Sequence, residues 1–106
     1  MGKLPSKVKI GYLSYDIDSV PAGKLKDVGD EKWLSGQCNN ILALIRVENG
    51  NPPLFERETV LQEIIHAVDY QAGNTLTEGQ VQMLGVGVLG VLRENPKLRA
   101  YLFDKE

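Results

Sequence analysis

The chain has 106 residues, 42% hydrophobic and 25% charged, which fits one globular domain with a single core. Its net charge of −2 excludes a general electrostatic attraction to nucleic acid or to anionic membranes. A single cysteine, Cys38, excludes an internal disulfide, no apolar run approaches membrane-spanning length, and the N-terminus lacks the apolar segment of a signal peptide. The expected compartment is therefore the cytoplasm. Met1-Gly2-Lys3-Leu4-Pro5-Ser6 matches the myristoylation pattern M-G-x-x-x-[ST], which is short and degenerate, and we read the match as chance or as a start codon followed by a filler glycine.

Residues 1–7 read as a flexible N-terminus. Val8 to Tyr15 reads as a strand, with Val8, Ile10 and Tyr12 on one face and Lys9, Gly11 and Leu13 on the other. Residues 16–32 are rich in Asp, Gly and Lys and include Pro21, so a loop or a ragged edge is expected. Trp33 to Cys38 has the periodicity of a second extended segment. Asn39-Asn40 suits a two-residue hairpin turn, because Asn tolerates positive φ. Ile41 to Val47 follows as a strand with two largely apolar faces, expected to be central and well covered. Asn49-Gly50-Asn51-Pro52-Pro53 stops it and leads into a helix.

Residues 54–72 carry Val60, Leu61, Ile64, Ile65 and Val68 at helical spacing, and Gly73-Asn74 ends the pattern. Thr77 caps a second helix, with Gln80 in capping-box position and Val81, Leu84, Val88, Val91 and Leu92 as its apolar repeat. Asn95-Pro96 is a stop signal, and Leu98 to Phe103 adds a short helix expected to dock on the core. Strands followed by helices predict a single α+β domain over residues 1–106: an antiparallel sheet of about three strands, two long helices and a short C-terminal one. Gly85-Val86-Gly87-Val88-Leu89-Gly90 matches G-x-G-x-x-G, but it falls inside a helical pattern instead of between a strand and a helix. Close packing of the two long helices explains those glycines better than a dinucleotide does.

The chemistry lies in Thr59-Val60-Leu61-Gln62-Glu63-Ile64-Ile65-His66-Ala67-Val68-Asp69-Tyr70. Positions 62 and 66 are one helical turn apart and share a face, which Asp69 continues. Two helical ligands at that spacing can grip a metal, with the glutamate after the first acting as general base on the metal-bound water.

Glu58 to Tyr70 resembles the "E-T-L-L-H-E-I-I-H-A-I-D" helix of small phage-type zinc peptidases of the ImmA/IrrE and SprT-like zincin groups. Val8-Lys9-Ile10-Gly11 resembles their opening strand, and Ser35-Gly36-Gln37-Cys38 with Ile41 to Val47 their hairpin. Leu76-Thr77-Glu78-Gly79-Gln80-Val81 resembles their "L-S-E-E-Q-V" second-helix start, and Leu92-Arg93-Glu94-Asn95-Pro96 their "L-R-D-N-P" ending. The resemblance implies a zincin-like fold, His66 as second metal ligand, Glu63 as general base and Glu78 as third ligand. It also implies that Asp69 accepts a hydrogen bond from His66 and orients it.

The first ligand position holds Gln62, and His66 is the only histidine. A neutral amide oxygen is a far poorer zinc ligand than an imidazole nitrogen. The expectation is a degenerate zinc-metallopeptidase-like domain of phage or prophage type, with weak or absent zinc binding and weak or absent catalysis. Its expected partner is an extended protein or peptide segment laid along a sheet edge, with neither nucleic acid nor membrane involved. Two alternatives stand beside it. One is a working peptidase whose metal is held by His66, Glu78 and Gln62 or Asp69. The other is a non-enzymatic interaction domain that uses its helical hairpin as the interface.

Overall fold

A computed structural model describes residues 3–25 and 35–105. The chain is α+β, with strands β1 (Lys7–Ile10), β2 (Leu13–Val20), β3 (Gly36–Asn39) and β4 (Leu44–Glu48), then helices α1 (Pro53–Ala72), α2 (Glu78–Glu94) and α3 (Pro96–Leu102). The sheet has four strands in the order β1-β2-β4-β3. It is mixed, where an antiparallel sheet of about three strands was expected: β1–β2 and β3–β4 are antiparallel, and β2–β4 is parallel.

The extra strand comes from the segment that reads as one strand and a loop. The chain reverses at Gly11, in the left-handed region at φ +59°, and runs on as β2 to Val20. Tyr15 and Ile17 of β2 are buried, while Ser14, Asp16 and Asp18 point to solvent. Those outward acids give residues 16–20 a loop-like composition, although the alternation is that of a half-buried strand. Trp33 and Leu34, expected in the next extended segment, lie outside the described residues.

β4 is central, as expected, but covered on one face only: Ile45 and Val47 are buried and Arg46 is exposed. Ile41 and Leu42 belong to the preceding turn and are largely exposed. That turn is longer than two residues because the Asn39 side chain accepts the N–H groups of both Ile41 and Leu42 at 3.0 Å, and Ala43 takes a positive φ of 52°. The N-terminal segment is tied down from residue 4 onward. Leu4 packs on the core, and the Ser6 carbonyl accepts the Ile17 N–H at 2.9 Å.

α1 begins on Pro53, whose ring presets the first helical φ, and its 20 residues run back across the sheet for about 30 Å. Ala67, with Val60 and Ile64 beside it, closes the core formed by Ile10, Tyr15, Ile17, Ile45 and Val47. The Gln71 amide donates to the Ile10 carbonyl at 2.7 Å, which fixes the far end of α1 beside the β1–β2 turn. The expected capping box at the start of α2 is formed, with Gln80 N–H to Thr77 Oγ1 at 3.1 Å and Thr77 N–H to Gln80 Oε1 at 2.9 Å. The 85–90 glycine motif lies within α2. Only its first member meets α1, since open space surrounds Gly87 and Gly90. α3 does not dock on the core: it has no buried residue, and Asn95 (φ −129°, ψ 76°) breaks the chain away from the α2 axis. None of the described helices is long and apolar enough to cross a membrane.

The turn between α1 and α2 hangs on Asp69. Its buried carboxylate accepts the N–H groups of Thr75 at 2.9 Å and Leu76 at 3.2 Å, and its carbonyl accepts that of Asn74 at 2.7 Å. Asp69→Ala orphans two amides that bond a charged group, so we expect a loss of about 2 kcal/mol. Urea denaturation checks this: the midpoint should fall with the slope unchanged.

Candidate functional site

The candidate residues sit on one side of α1 and at the N-terminus of α2. Thr59, Glu63 and His66 follow one another at helical spacing along α1, on the flank that meets β3. The approach is close at Gly36. A Cβ there would lie 2.6 Å from Thr59 Cγ2 and 2.9 Å from Glu63 Oε2, so only glycine fits without displacing α1 or its side chains. The Thr59 hydroxyl is satisfied inside the helix, donating to the Phe55 carbonyl at 3.0 Å.

Glu63 is buried, at 9% exposure. Loss of water pushes its carboxyl up to about 7, and the nearby charge of Glu78 adds to the effect. Cys38, two residues beyond Gly36 on β3, feels the same site. Burial and then the charge of Glu63 push its thiol up to about 12, so it is a neutral thiol in the metal-free protein. It donates to Asn40 Oδ1 at 3.4 Å, an oxygen that also accepts the Tyr15 hydroxyl at 2.7 Å.

His66 is half-buried one turn beyond Glu63, and its Nε2 lies 3.2 Å from Glu78 Oε2. Glu78 is the first residue of α2, after the Thr77 cap, where its charge also opposes the helix dipole. The structure thus brings Glu63, His66 and Glu78 to one place. Gln62 adjoins them but faces α2: a Cβ on Gly85 would lie 2.5 Å from Gln62 Cγ, so the glycine makes room for the side chain at 62. Asp69 does not orient His66. Its carboxylate is given to the Thr75 and Leu76 amides, because the reversal of the chain needs those bonds.

The donor set for a metal is short. His66 offers an imidazole nitrogen and Glu78 a carboxylate oxygen, while Gln62 offers only a neutral amide. A catalytic zinc site uses three protein ligands of imidazole, carboxylate or thiolate type. Among the described residues no group of three His, Cys, Asp or Glu side chains is arranged to hold a metal. The residues present do not fit a full zinc centre. What they supply is a carboxyl that exchanges a proton near neutrality, beside an imidazole–carboxylate pair.

Sequence reasoning did not find Gly36, Thr59 or the coupling of Cys38 to Glu63. The alternation of β3 puts positions 36 and 38 on one face, but which helix that face meets is a tertiary fact. Comparison with family models, with curated proteins and with solved structures finds no match.

Glu63 gives the fold a pH dependence with a definite sign. A carboxyl raised from 4.5 to about 7 binds a proton in the folded state that the unfolded chain has released. The stabilisation is complete below pH 4.5 and is lost as the pH rises through 7. Relative to Glu63→Gln, the wild type should lose about 3 kcal/mol between those limits, read from urea midpoints across the range. A difference that does not vary with pH would show that Glu63 ionises normally. Separately, Gly36→Ala should cost about 1–3 kcal/mol by overpacking, checked by the same method.

Proposed function

We propose that this chain is a degenerate zincin-like domain of phage or prophage type, whose role is to hold an extended protein segment without cutting it. One observation carries the reading. Glu78, from a different helix, stands 3.2 Å from His66, while Glu63 occupies the same side of α1 one turn earlier. That is the disposition the resemblance implies for a second ligand, a third ligand and a general base. Gln62 at the first ligand position argues against a working centre, because a neutral amide binds zinc weakly. The variant in which Asp69 completes the ligand set is disfavoured, since it would free the Thr75 and Leu76 amides of their acceptor.

The same layout supports a peptide partner. β3 stands last in the sheet order, and among the described residues no strand pairs with its outer side. An extended segment can add main-chain hydrogen bonds there, with Glu63 and His66 behind it. Its compartment in this reading is the cytoplasm, that of the host if the chain is phage-encoded. With a net charge of −2, nucleic acid is not a partner we assign.

Gln62→His tests the reading. The variant supplies the missing imidazole one helical turn before His66. Zinc titration by calorimetry should show binding to Gln62→His far tighter than to the wild type. Zinc at a hundred times the Kd should add about 2.7 kcal/mol to its stability, raising Tm by several degrees. Failure to gain zinc would show that the site has drifted beyond position 62 or that His66 and Glu78 are not its ligands.

A further inference from the structure

α1 has a second flank, opposite the candidate site. There a groove of about 620 Å³ opens between the N-terminal segment, α1 and the C-terminal half of α2, walled by Leu4, Val60, Leu61, Ile64, Leu89 and Leu92. Beside its α2 wall stands α3, none of whose residues is fully buried: Leu98 and Leu102 lean partly on α2, at 39% and 53% exposure. Leu98, Tyr101 and Leu102 fall at i, i+3 and i+4 on one face of α3, and Phe103 follows at its end. Tyr101 is 77% exposed and Phe103 70%. A seven-residue helix with so little tertiary burial is marginal in water. One chain thus carries an apolar groove and an apolar helix that does not fill it.

The chain's own geometry keeps the two apart. Asn95 Nδ2 donates to the Val91 carbonyl at 2.9 Å, and the Arg99 guanidinium bonds the Leu92 carbonyl. These bonds latch α3 to the end of α2 instead of over the groove. We propose that α3 of one copy packs into the groove of a second copy, and the second α3 into the first groove, in a two-fold symmetric homodimer. A two-fold axis requires a self-complementary surface, and a groove contiguous with its own complementary helix provides one. The area is adequate. Tyr101 and Phe103 alone expose on the order of 300 Å² per copy. Reciprocal insertion covers two helices and two shallower groove walls, on the order of 1,000 Å² in total, the size of a weak, micromolar interface. This inference is independent of the metal reading, since the groove and the candidate site lie on opposite flanks of α1.

The test is sedimentation equilibrium of the full chain from ~10 to ~300 µM, a range suited to a micromolar Kd. We expect a concentration-dependent dimer, and a monomer for Tyr101→Glu/Phe103→Glu with an unchanged circular dichroism spectrum, because both side chains are exposed in the single chain. A photo-crosslinking residue at position 101 should then join the two copies at peptides containing Leu61 or Leu92. A monomer at every concentration would overturn the proposal. So would a dimer that survives the double substitution, or crosslinks that stay within one chain, which would put α3 in its own groove.

Discussion

Between α1 and β3 the backbone comes close enough that position 36 has no room for a Cβ. Thr59 and Glu63 fill the space that a side chain on Gly36 would have taken. The cost falls on Glu63, whose carboxyl is packed against a strand and cut off from water. An ionised carboxylate there is expensive, so the group holds its proton up to about neutral pH. The other features of the site follow from that position. Cys38, on the same strand face, is kept a neutral thiol by burial and by Glu63. His66, one helical turn on, sits at the rim, where Glu78 reaches it.

What brings Glu78 there is structural bonding that needs no ligand. Asp69 gathers the Thr75 and Leu76 amides, the Thr77–Gln80 capping box starts α2 at Glu78, and Gly85 lets α2 close on Gln62. In the proposed reading this explains how a site can outlive its metal. A zinc ion that supplied the folding energy would leave a disordered apo chain when a ligand was lost. In that reading the turn, the caps and the helix contact carry the arrangement, and glutamine at 62 is compatible with the fold.

Much of this was legible in the sequence where the signal is local. The two long helices, the Gly73-Asn74 stop, the capping box and the Asn95-Pro96 break were all readable, because periodicity and capping chemistry act within a few residues. β2 was not, since Asp16 and Asp18 on its wet face resemble loop composition. The parallel β2–β4 pair was not either, because it joins residues 28 apart that share no local pattern. At the site, Glu63 and His66 could be placed by helical spacing, and Glu78 only through resemblance. The actual duty of Asp69 depends on which way the chain turns after Ala72. The exposure of α3 depends on whether the core has room left for it.

The most direct measurement is the metal content of the unaltered protein, purified without chelators and analysed for bound zinc per chain. With two strong donors and a neutral amide in the third position, we expect zinc far below one equivalent. Near-stoichiometric zinc, retained through dialysis, would contradict the central claim.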